Sequence, residues 1–355
     1  MKRVLVAMSG GVDSSVAAAI LKAEGYEVLG VTLTLWPEPE PGDGESQAVS
    51  SSGHNDAAAA ADRLGLSHKI IDVSTEFSEI VLGRFVSDYL AGLTPNPCIE
   101  CNRRIKFERL FSIAAEMDCE LVATGHYARN VFQGGCWRLM RGVDSEKDQS
   151  YFLSMLAQED LERLRFPLGC HDKEMTRRLA EELGLEIPVE AESMDICFLR
   201  GADYRSFLKS KLAGVAEPGP IVDTEGTVVG EHQGIFGFTV GQRRQLGIVA
   251  GEPRYVVRVV PESRTVVVGR RQDLAVGSMM VTDTTTTGRA IPEDVLVQYR
   301  GRGEAVAARF RQGQVEFADV QYAIAPGQTA AFYNGEEVLG SGVIAETSPT
   351  SSRIE

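Results

Sequence analysis

Val4-Leu5-Val6-Ala7-Met8-Ser9-Gly10-Gly11-Val12-Asp13-Ser14-Ser15-Val16, at the start of a 355-residue chain, is the stretch from which the first half of the fold is read. A short β-branched run passes at once into Ser-Gly-Gly and then into the helix-like Ser15-Val16-Ala17-Ala18-Ala19-Ile20-Leu21, the order strand, tight loop, helix N-terminus. Such a loop aims free backbone N–H groups at an anion. Its paired glycines permit positive φ and close approach of the backbone, the helix end adds partial positive charge, and the serine hydroxyls add donors. A Walker loop would carry Lys directly before the Ser, to reach the terminal phosphates; Asp13 stands in that place. The loop is therefore expected to grip a pyrophosphate leaving group, with Asp13 near its magnesium ion.

Working outward, the first helix is expected to end near Glu24-Gly25, and residues 26–35 alternate as a second strand, which makes a parallel βαβ unit with a right-handed crossover. Residues 36–53 read as a loop, 57–66 as a helix, 67–73 as a strand, 77–90 and 107–116 as helices, and 121–124 as a buried strand ending in Gly125-His126-Tyr127. Ligands of such sheets gather at the carboxyl ends of strands, so the loops at Ser9 and Gly125 are expected to share one site. After Leu199 the character changes. A helical piece over 202–208 gives way to short Val-, Thr- and Phe-rich runs separated by turns, with Asn334-Gly335 a hairpin signal. The expected division is a parallel-sheet α/β domain over 1–205, a small β domain over 206–280 and a β-barrel over 281–355, with the Thr284–Thr287 run a linker or exposed strand edge.

Composition, 43% hydrophobic and 24% charged, is that of a globular protein with ample core material. No run of 18 apolar residues suggests a membrane span, and the N-terminus does not suit a cleaved signal, so a cytoplasmic location is expected. The net charge of −14 argues against a generic nucleic-acid coat, yet residues 1–205 carry −12 of it. Most later bases lie between Arg243 and Arg311, which leaves a local basic face open.

Between the helices stands Thr94-Pro95-Asn96-Pro97-Cys98-Ile99-Glu100-Cys101-Asn102-Arg103-Arg104-Ile105-Lys106-Phe107. Two prolines two apart force an extended turn that presents Cys98 and Cys101 at a helix start, where nearby Arg103, Arg104 and Lys106 incline a thiol toward thiolate. A Cys-x-x-Cys also serves zinc or redox chemistry, and zinc would want a second pair, which the sequence lacks. It offers a single distant candidate, Cys197 in Glu192-Ser193-Met194-Asp195-Ile196-Cys197-Phe198-Leu199, for which a buried strand cysteine is the plain alternative. Cys119, Cys136 and Cys170 are taken as structural.

The Ser9–Ser15 string resembles the PP-loop of the ATP pyrophosphatases, which split ATP between its α and β phosphates. Together with the Thr94–Phe107 string, Thr124-Gly125-His126-Tyr127-Ala128-Arg129, Lys147-Asp148-Gln149-Ser150-Tyr151-Phe152-Leu153, Asp195-Ile196-Cys197-Phe198, the run Gly234–Arg244, and Ala325-Pro326-Gly327-Gln328 through Tyr333, it resembles the tRNA-specific 2-thiouridylase family over nearly the whole chain. The resemblance implies that ATP adenylates O2 of the wobble uridine, position 34, in tRNAs of the Lys, Glu and Gln type, and that sulfur carried as a cysteine persulfide displaces AMP. Carried over by position, Cys197 would hold the persulfide, delivered by a sulfur-relay protein or cysteine desulfurase, and Cys101 would be the partner thiol, the two ending as a disulfide or cooperating in direct transfer. Ala7, Met8, Ser9, Gly10, Gly11, Val12, Asp13 and Ser14 would hold ATP and its magnesium, flanked by Leu33 and Gly125. Asn96, Pro97 and Cys98 would meet the base; His126, Lys147, Asp148, Gln149, Tyr299, Arg300 and Gln328 would contact tRNA, as would Arg243 and Arg244. A monomer is expected.

Two departures stand out. Gln298 occupies a position where the family often has Arg, so one tRNA contact is expected to be lost. Many members also carry, in place of Cys98, an Asp assigned to acid–base work; a thiolate could do the same, or Cys98, Cys101 and Cys197 could ligate a [4Fe–4S] cluster. Synthetases of argininosuccinate or GMP type would share the loop but need neither the cysteine pair nor a terminal barrel, and a non-catalytic RNA-binding module leaves the loop unexplained.

Overall fold

A computed structural model describes residues 1–36, 47–185, 196–199, 203–212, 217–249 and 251–349, with the backbone alone described over 47–52. The chain opens with β1 (Arg3–Ala7), α1 (Val12–Ala23), β2 (Glu27–Thr34), α2 (Gln47–Arg63) and β3 (Ser67–Asp72). The crossovers are parallel as expected, β1 with β2 and β2 with β3. One correction concerns α2, which begins at Gln47, inside the segment expected to be a loop. Five consecutive alanines at 57–61 are strong helix formers, and the helix propagates back from them through the weak Ser-Ser-Ser-Gly stretch.

Helices over 74–90 and 97–116 follow, each with a π-helical middle turn, Phe77–Leu82 and Cys101–Phe107. Then come β4 (Leu121–Ala123), the hairpin β5 (Ala128–Gln133) and β6 (Cys136–Arg141), helix Gln158–Arg163, β7 (Leu164–Arg165), helix Lys173–Glu182 and helix Tyr204–Lys211. The sheet runs β3-β2-β1-β4-β7, all parallel. Its β1 is apolar on both faces, Val4, Leu5 and Val6 being fully buried under helices on either side.

The second unit is a four-stranded sheet, β10-β11-β8-β9, made by β8 (Gly219–Asp223), β9 (Val228–His232), β10 (Tyr255–Val260) and β11 (Thr265–Gly269). Pro220 lies within β8. The third contains β12 (Ala275–Thr286), β13 (Asp294–Gln298), β14 (Val306–Arg311), β15 (Gln314–Tyr322), β16 (Thr329–Asn334) and β17 (Glu337–Ser348). Pairing of β12 with both β15 and β17 closes the barrel. Thr284, Thr285 and Thr286 form the end of β12, past its pairing with β15, where Thr285 and Thr286 stand opposite Ser341 and Gly340 of β17 and Thr284 and Thr286 are exposed. Of the two expectations, linker and exposed strand edge, the edge is the one found, and Thr287 just beyond it is buried against the Val338 carbonyl. The same strand runs across the 280/281 division.

The hairpin β5–β6 belongs to both ends of the molecule. Covalently it follows β4, yet β6 joins β17 in the barrel sheet, with Met140 opposite Glu337. One continuous apolar core accordingly runs from Leu5, Phe107 and Val122 through Leu139 and Tyr151 to Ala331, Tyr333 and Val338. This shared core holds the α/β domain against the barrel.

Candidate active site

The strand order reverses between β1 and β4, because β2 and β3 lie to one side of β1 and β4 and β7 to the other. Loops leaving the carboxyl ends of the two strands meet there, at the position where open parallel sheets bind ligands. A Cβ on Gly125 would stand 2.9 Å from the Asp13 carbonyl carbon and 2.9 Å from the Ser14 nitrogen, so the two loops share one site, as the sequence predicts. Gly10 takes φ +81° and packs beneath Gly53 of α2, where a Cβ would collide with the Gly53 carbonyl.

Within the loop, Ser14 Oγ accepts from the Ser9 N–H at 3.1 Å and donates to the Gly11 carbonyl at 3.1 Å, while Ser15 Oγ donates to the same carbonyl. No side chain caps α1 at Gly11, which leaves its first N–H groups to a ligand. Ala7 is half-buried, Met8 is buried, and Ser9 is exposed at the mouth. Leu33, at the end of β2, packs against Cys101's apolar cluster as well as the shared core.

Asp13 is held from two sides. Lys173 Nζ lies 2.7 and 2.9 Å from its two carboxylate oxygens, and the Tyr127 hydroxyl donates to it at 2.8 Å. No sequence motif points to Lys173, which starts a helix 160 residues further along the chain. Tyr127 follows Gly125-His126 directly, and its hydroxyl links Asp13 to Thr176.

The thiols are linked to this loop through Lys106, which lies within electrostatic reach of Cys98 and Cys101 and of His126, the residue after Gly125. Asn96 caps the helix 97–116, its side chain accepting from the Ile99 N–H at 3.4 Å, and Pro97 fills the first turn, where no N–H is needed. Cys98 is half-buried; Cys101 is buried where the helix widens into its π turn. Cys197 is exposed on the short 3-10 turn Cys197–Leu199, not in a buried strand. Its neighbour Phe198 anchors it, packed against Trp36, Phe77, Phe85 and Phe207 at centroid distances of 5.0–6.2 Å. Residues 192–195 of that string lie outside the described residues.

Burial raises the Cys98 and Cys101 thiols above their ordinary range; the opposing pull of Lys106 is smaller, and Cys197 pushes both further up. Cys101 reaches about 11. The expected inclination toward thiolate is thus reversed in the free protein, because Arg103 and Arg104 turn to solvent, Arg104 toward Glu108 at 3.6 Å, and leave Lys106 facing the sulfurs. Lys106 also faces His126, whose half-buried imidazole lies between the Phe107 and Phe166 rings with Nδ1 2.7 Å from Thr124 Oγ1. Burial first, and then Lys106, holds that ring down to about 3, so it is neutral at any physiological pH.

Among the described residues no three His, Cys, Asp or Glu side chains are placed to hold a metal ion together. Cys98, Cys101 and Cys197 stand as free thiols that do not converge as ligands of one ion. A magnesium ion bound through one carboxylate and the phosphates of ATP needs only Asp13, which the loop supplies.

The residues expected at tRNA fall into linked groups. Gln328 donates to the carbonyls of Thr94 and Pro95 and so fixes the barrel to the loop bearing Asn96, Pro97 and Cys98. In the turn 147–149, the Asp148 carboxylate points inward to Arg141 at 2.8 Å, and the Gln149 side chain accepts from the Tyr127 N–H at 3.0 Å; Lys147 is half-buried. Arg141 reaches on to Gln298 Oε1 at 3.0 Å, with its guanidinium 3.9 Å over the Tyr333 ring. Gln298 is thus buried beneath Tyr299 and the exposed Arg300, which bond to Gln321 and to the Tyr322 and Ala323 carbonyls. Arg243 and Arg244 lie exposed in the second unit.

Three family models match in order: one described as a tRNA methyl transferase HUP domain over residues 2–201, its PRC-barrel domain over 205–270, and an aminomethyltransferase beta-barrel domain over 272–344. The chain is 43% identical to a tRNA-specific 2-thiouridylase MnmA of Rhizorhabdus wittichii, covering 99% of this chain and 94% of that one. The protein of the same name from Chloroflexus aurantiacus is 44% identical, covering 97% of this chain and 99% of its own length. The chain belongs to the tRNA-specific 2-thiouridylase family. A third member, from Zymomonas mobilis, is 41% identical over 98% of this chain and 94% of its own. Among the described residues no helix is long and apolar enough to cross a membrane.

Proposed function

We propose that this protein is a tRNA-uridine 2-sulfurtransferase that spends ATP to replace O2 of the wobble uridine, in tRNAs of the Lys, Glu and Gln type, by sulfur. The observation that carries the reading is that, in a member of this family, Cys98 and Cys101 lie within electrostatic reach of both Cys197 and Lys106, and Lys106 in turn of His126, which follows the Gly125 packed on the phosphate loop. Residues Ala7 to Ser14 bind ATP, with Leu33 and Gly125 beside the nucleoside, and magnesium, when bound to Asp13, neutralises phosphate charge. Uridine O2 bonds to the α phosphorus, the bond from that phosphorus to the bridging oxygen breaks, and pyrophosphate leaves with the electron pair. AMP then sits on O2 as a good leaving group.

Sulfur arrives on Cys197, whose exposure suits delivery by a relay protein or a desulfurase. The terminal persulfide sulfur attacks C2 and AMP departs, and Cys101 attacks the Cys197 sulfur to free the thiocarbonyl, leaving a Cys101–Cys197 disulfide. Alternatively Cys101 releases hydrosulfide from Cys197 first; in both routes an external dithiol resets the pair. Either attack needs the Cys101 thiolate, so proton loss from this buried thiol is the step that the Lys106 ammonium favours. Cys98 stands beside it as the acid–base group for the uridine. His126, neutral in its pocket, orients substrate through hydrogen bonding and transfers no charge. Asn96, Pro97, Lys147, Asp148, Gln149, Tyr299, Arg300 and Gln328 form the tRNA-facing set, several of them through the main chain they position.

The test is mass spectrometry of nucleosides from tRNA incubated with the protein, ATP and a persulfide donor. 2-Thiouridine is expected at position 34 with the wild type and none with Cys197→Ser; equal product from both would refute the assignment.

A further inference from the structure

We propose that Lys173 is the phosphate-facing cation of the ATP site, doing from a second helix what the Walker lysine does from inside its own loop. The proposal rests on the adenylation reading above. Between Val4 and Leu21 the sequence has no Lys or Arg, and it carries Asp13 where that lysine would stand, so the loop by itself opposes a triphosphate with a negative charge. Lys22, the next base along the chain, is spent on the Leu64 carbonyl.

The structure brings the missing charge from elsewhere. Lys173 Nζ lies 2.7 and 2.9 Å from the Asp13 oxygens, and its side chain is only 12% exposed, whereas that of Asp13 is 35% exposed. The open side of the pair is therefore the loop side. Holding an ammonium there is costly without a partner, and its position is built from several directions. The Lys173 N–H donates to Asp144 at 3.0 Å, Asp172 caps the helix by accepting from Met175, and Thr176, one turn on, lies 3.1 Å from the Tyr127 hydroxyl that also holds Asp13. Asp144 in turn accepts from the Lys147 N–H, which ties this cation to the turn expected at tRNA.

A compact charge on a flexible four-carbon stem can change partners without moving its helix. With ATP and magnesium bound, Asp13 would hold the metal and the Lys173 ammonium would face the β and γ phosphate oxygens. As the bond between the α phosphorus and the bridging oxygen breaks, the electron pair lands on the pyrophosphate that Lys173 faces; the lysine keeps its proton throughout.

The experiment measures binding of inorganic pyrophosphate, ATP and AMP to the full-length protein by calorimetry in magnesium buffer. Lys173→Met is expected to weaken pyrophosphate and ATP by about 10- to 100-fold, the scale of a lost charge-assisted contact, and to leave AMP within about twofold. Equal weakening of all three ligands, or of none, would overturn the proposal. A second comparison guards against misfolding, because it removes both charges together: Asp13→Asn against Asp13→Asn/Lys173→Met. Pyrophosphate bound about tenfold more weakly by the double variant supports the assignment; equal affinity means that Lys173 merely neutralises Asp13 and overturns it. Selective loss of pyrophosphate affinity in an enzyme that makes no AMP from ATP with tRNA would keep Lys173 as a phosphate ligand and sink the adenylation reading alone.

Discussion

Gln328 of the barrel donates its side-chain amide to the main-chain carbonyls of Thr94 and Pro95, 2.8 and 3.1 Å away, while the Thr94 N–H donates to the Pro326 carbonyl at 2.8 Å. The barrel thereby fixes the segment that leads into Cys98. Gln328→Ala should cost about 1–2 kcal/mol, two modest hydrogen bonds with the carbonyls rehydrated in part. Thermal melting and steady-state thiolation check it: a small drop in Tm, a several-fold loss of thiolation and unchanged ATP affinity are expected.

Gly125 leaves no room for a side chain beside Asp13 and Ser14. Gly125→Ala forces a methyl within about 3 Å of the phosphate-loop backbone, a strain of roughly 1–3 kcal/mol that displaces the loop. ATP affinity should fall by about tenfold or more, measured by calorimetry, with the barrel and its tRNA affinity left as they are. ATP binding equal to wild type would show that the two loops do not share a ligand.

Alkylation should follow exposure and proton affinity. At neutral pH, iodoacetamide is expected to label the exposed Cys197 and Cys170 first and Cys101 last, because the latter is buried and held up to about 11. Peptide mass spectrometry over a pH series should show Cys101 labelling still rising past pH 9. Lys106→Met, which removes the opposing charge, should slow it further.

The His126 ring supplies a signed pH dependence. Its pKa is lowered from 6.5 to about 3 in the fold, so the unfolded chain binds the proton first as pH falls. Stability from this group is whole above pH 6.5 and declines between 6.5 and 3, by up to about 1.4 kcal/mol per pH unit. Chemical denaturation at pH 7 and pH 5 should show a smaller loss for His126→Leu than for wild type.

Local chemistry made much of this legible. The β-branched runs at Val4 and Val28 became adjacent parallel strands, and the Gly-Gly turn between strand and helix became the loop at the switch point. Gly134-Gly135, between residues that alternate in character, is a hairpin signal of the same kind as Asn334-Gly335, and it marks the turn of β5–β6. Lys173 could not be found this way: its meaning lies in a partner 160 residues distant, and at its own position it is only the first residue of an amphipathic helix. The thiols show the reverse failure. Sequence supplied neighbouring bases and a helix start, but whether those charges outweigh burial is decided by side-chain direction, which sequence does not contain.

The sharing of β5–β6 with the barrel sheet bears on whether the molecule can be taken apart. Three segments in sequence do not make three detachable modules. A catalytic half severed after residue 212 would keep the hairpin but lose the strand that β6 pairs with, and would bare the faces of Leu139 and Tyr151 that Tyr333 and Val338 now cover. The nucleotide-handling half and the terminal barrel are therefore bound to melt, and to be inherited, as one unit.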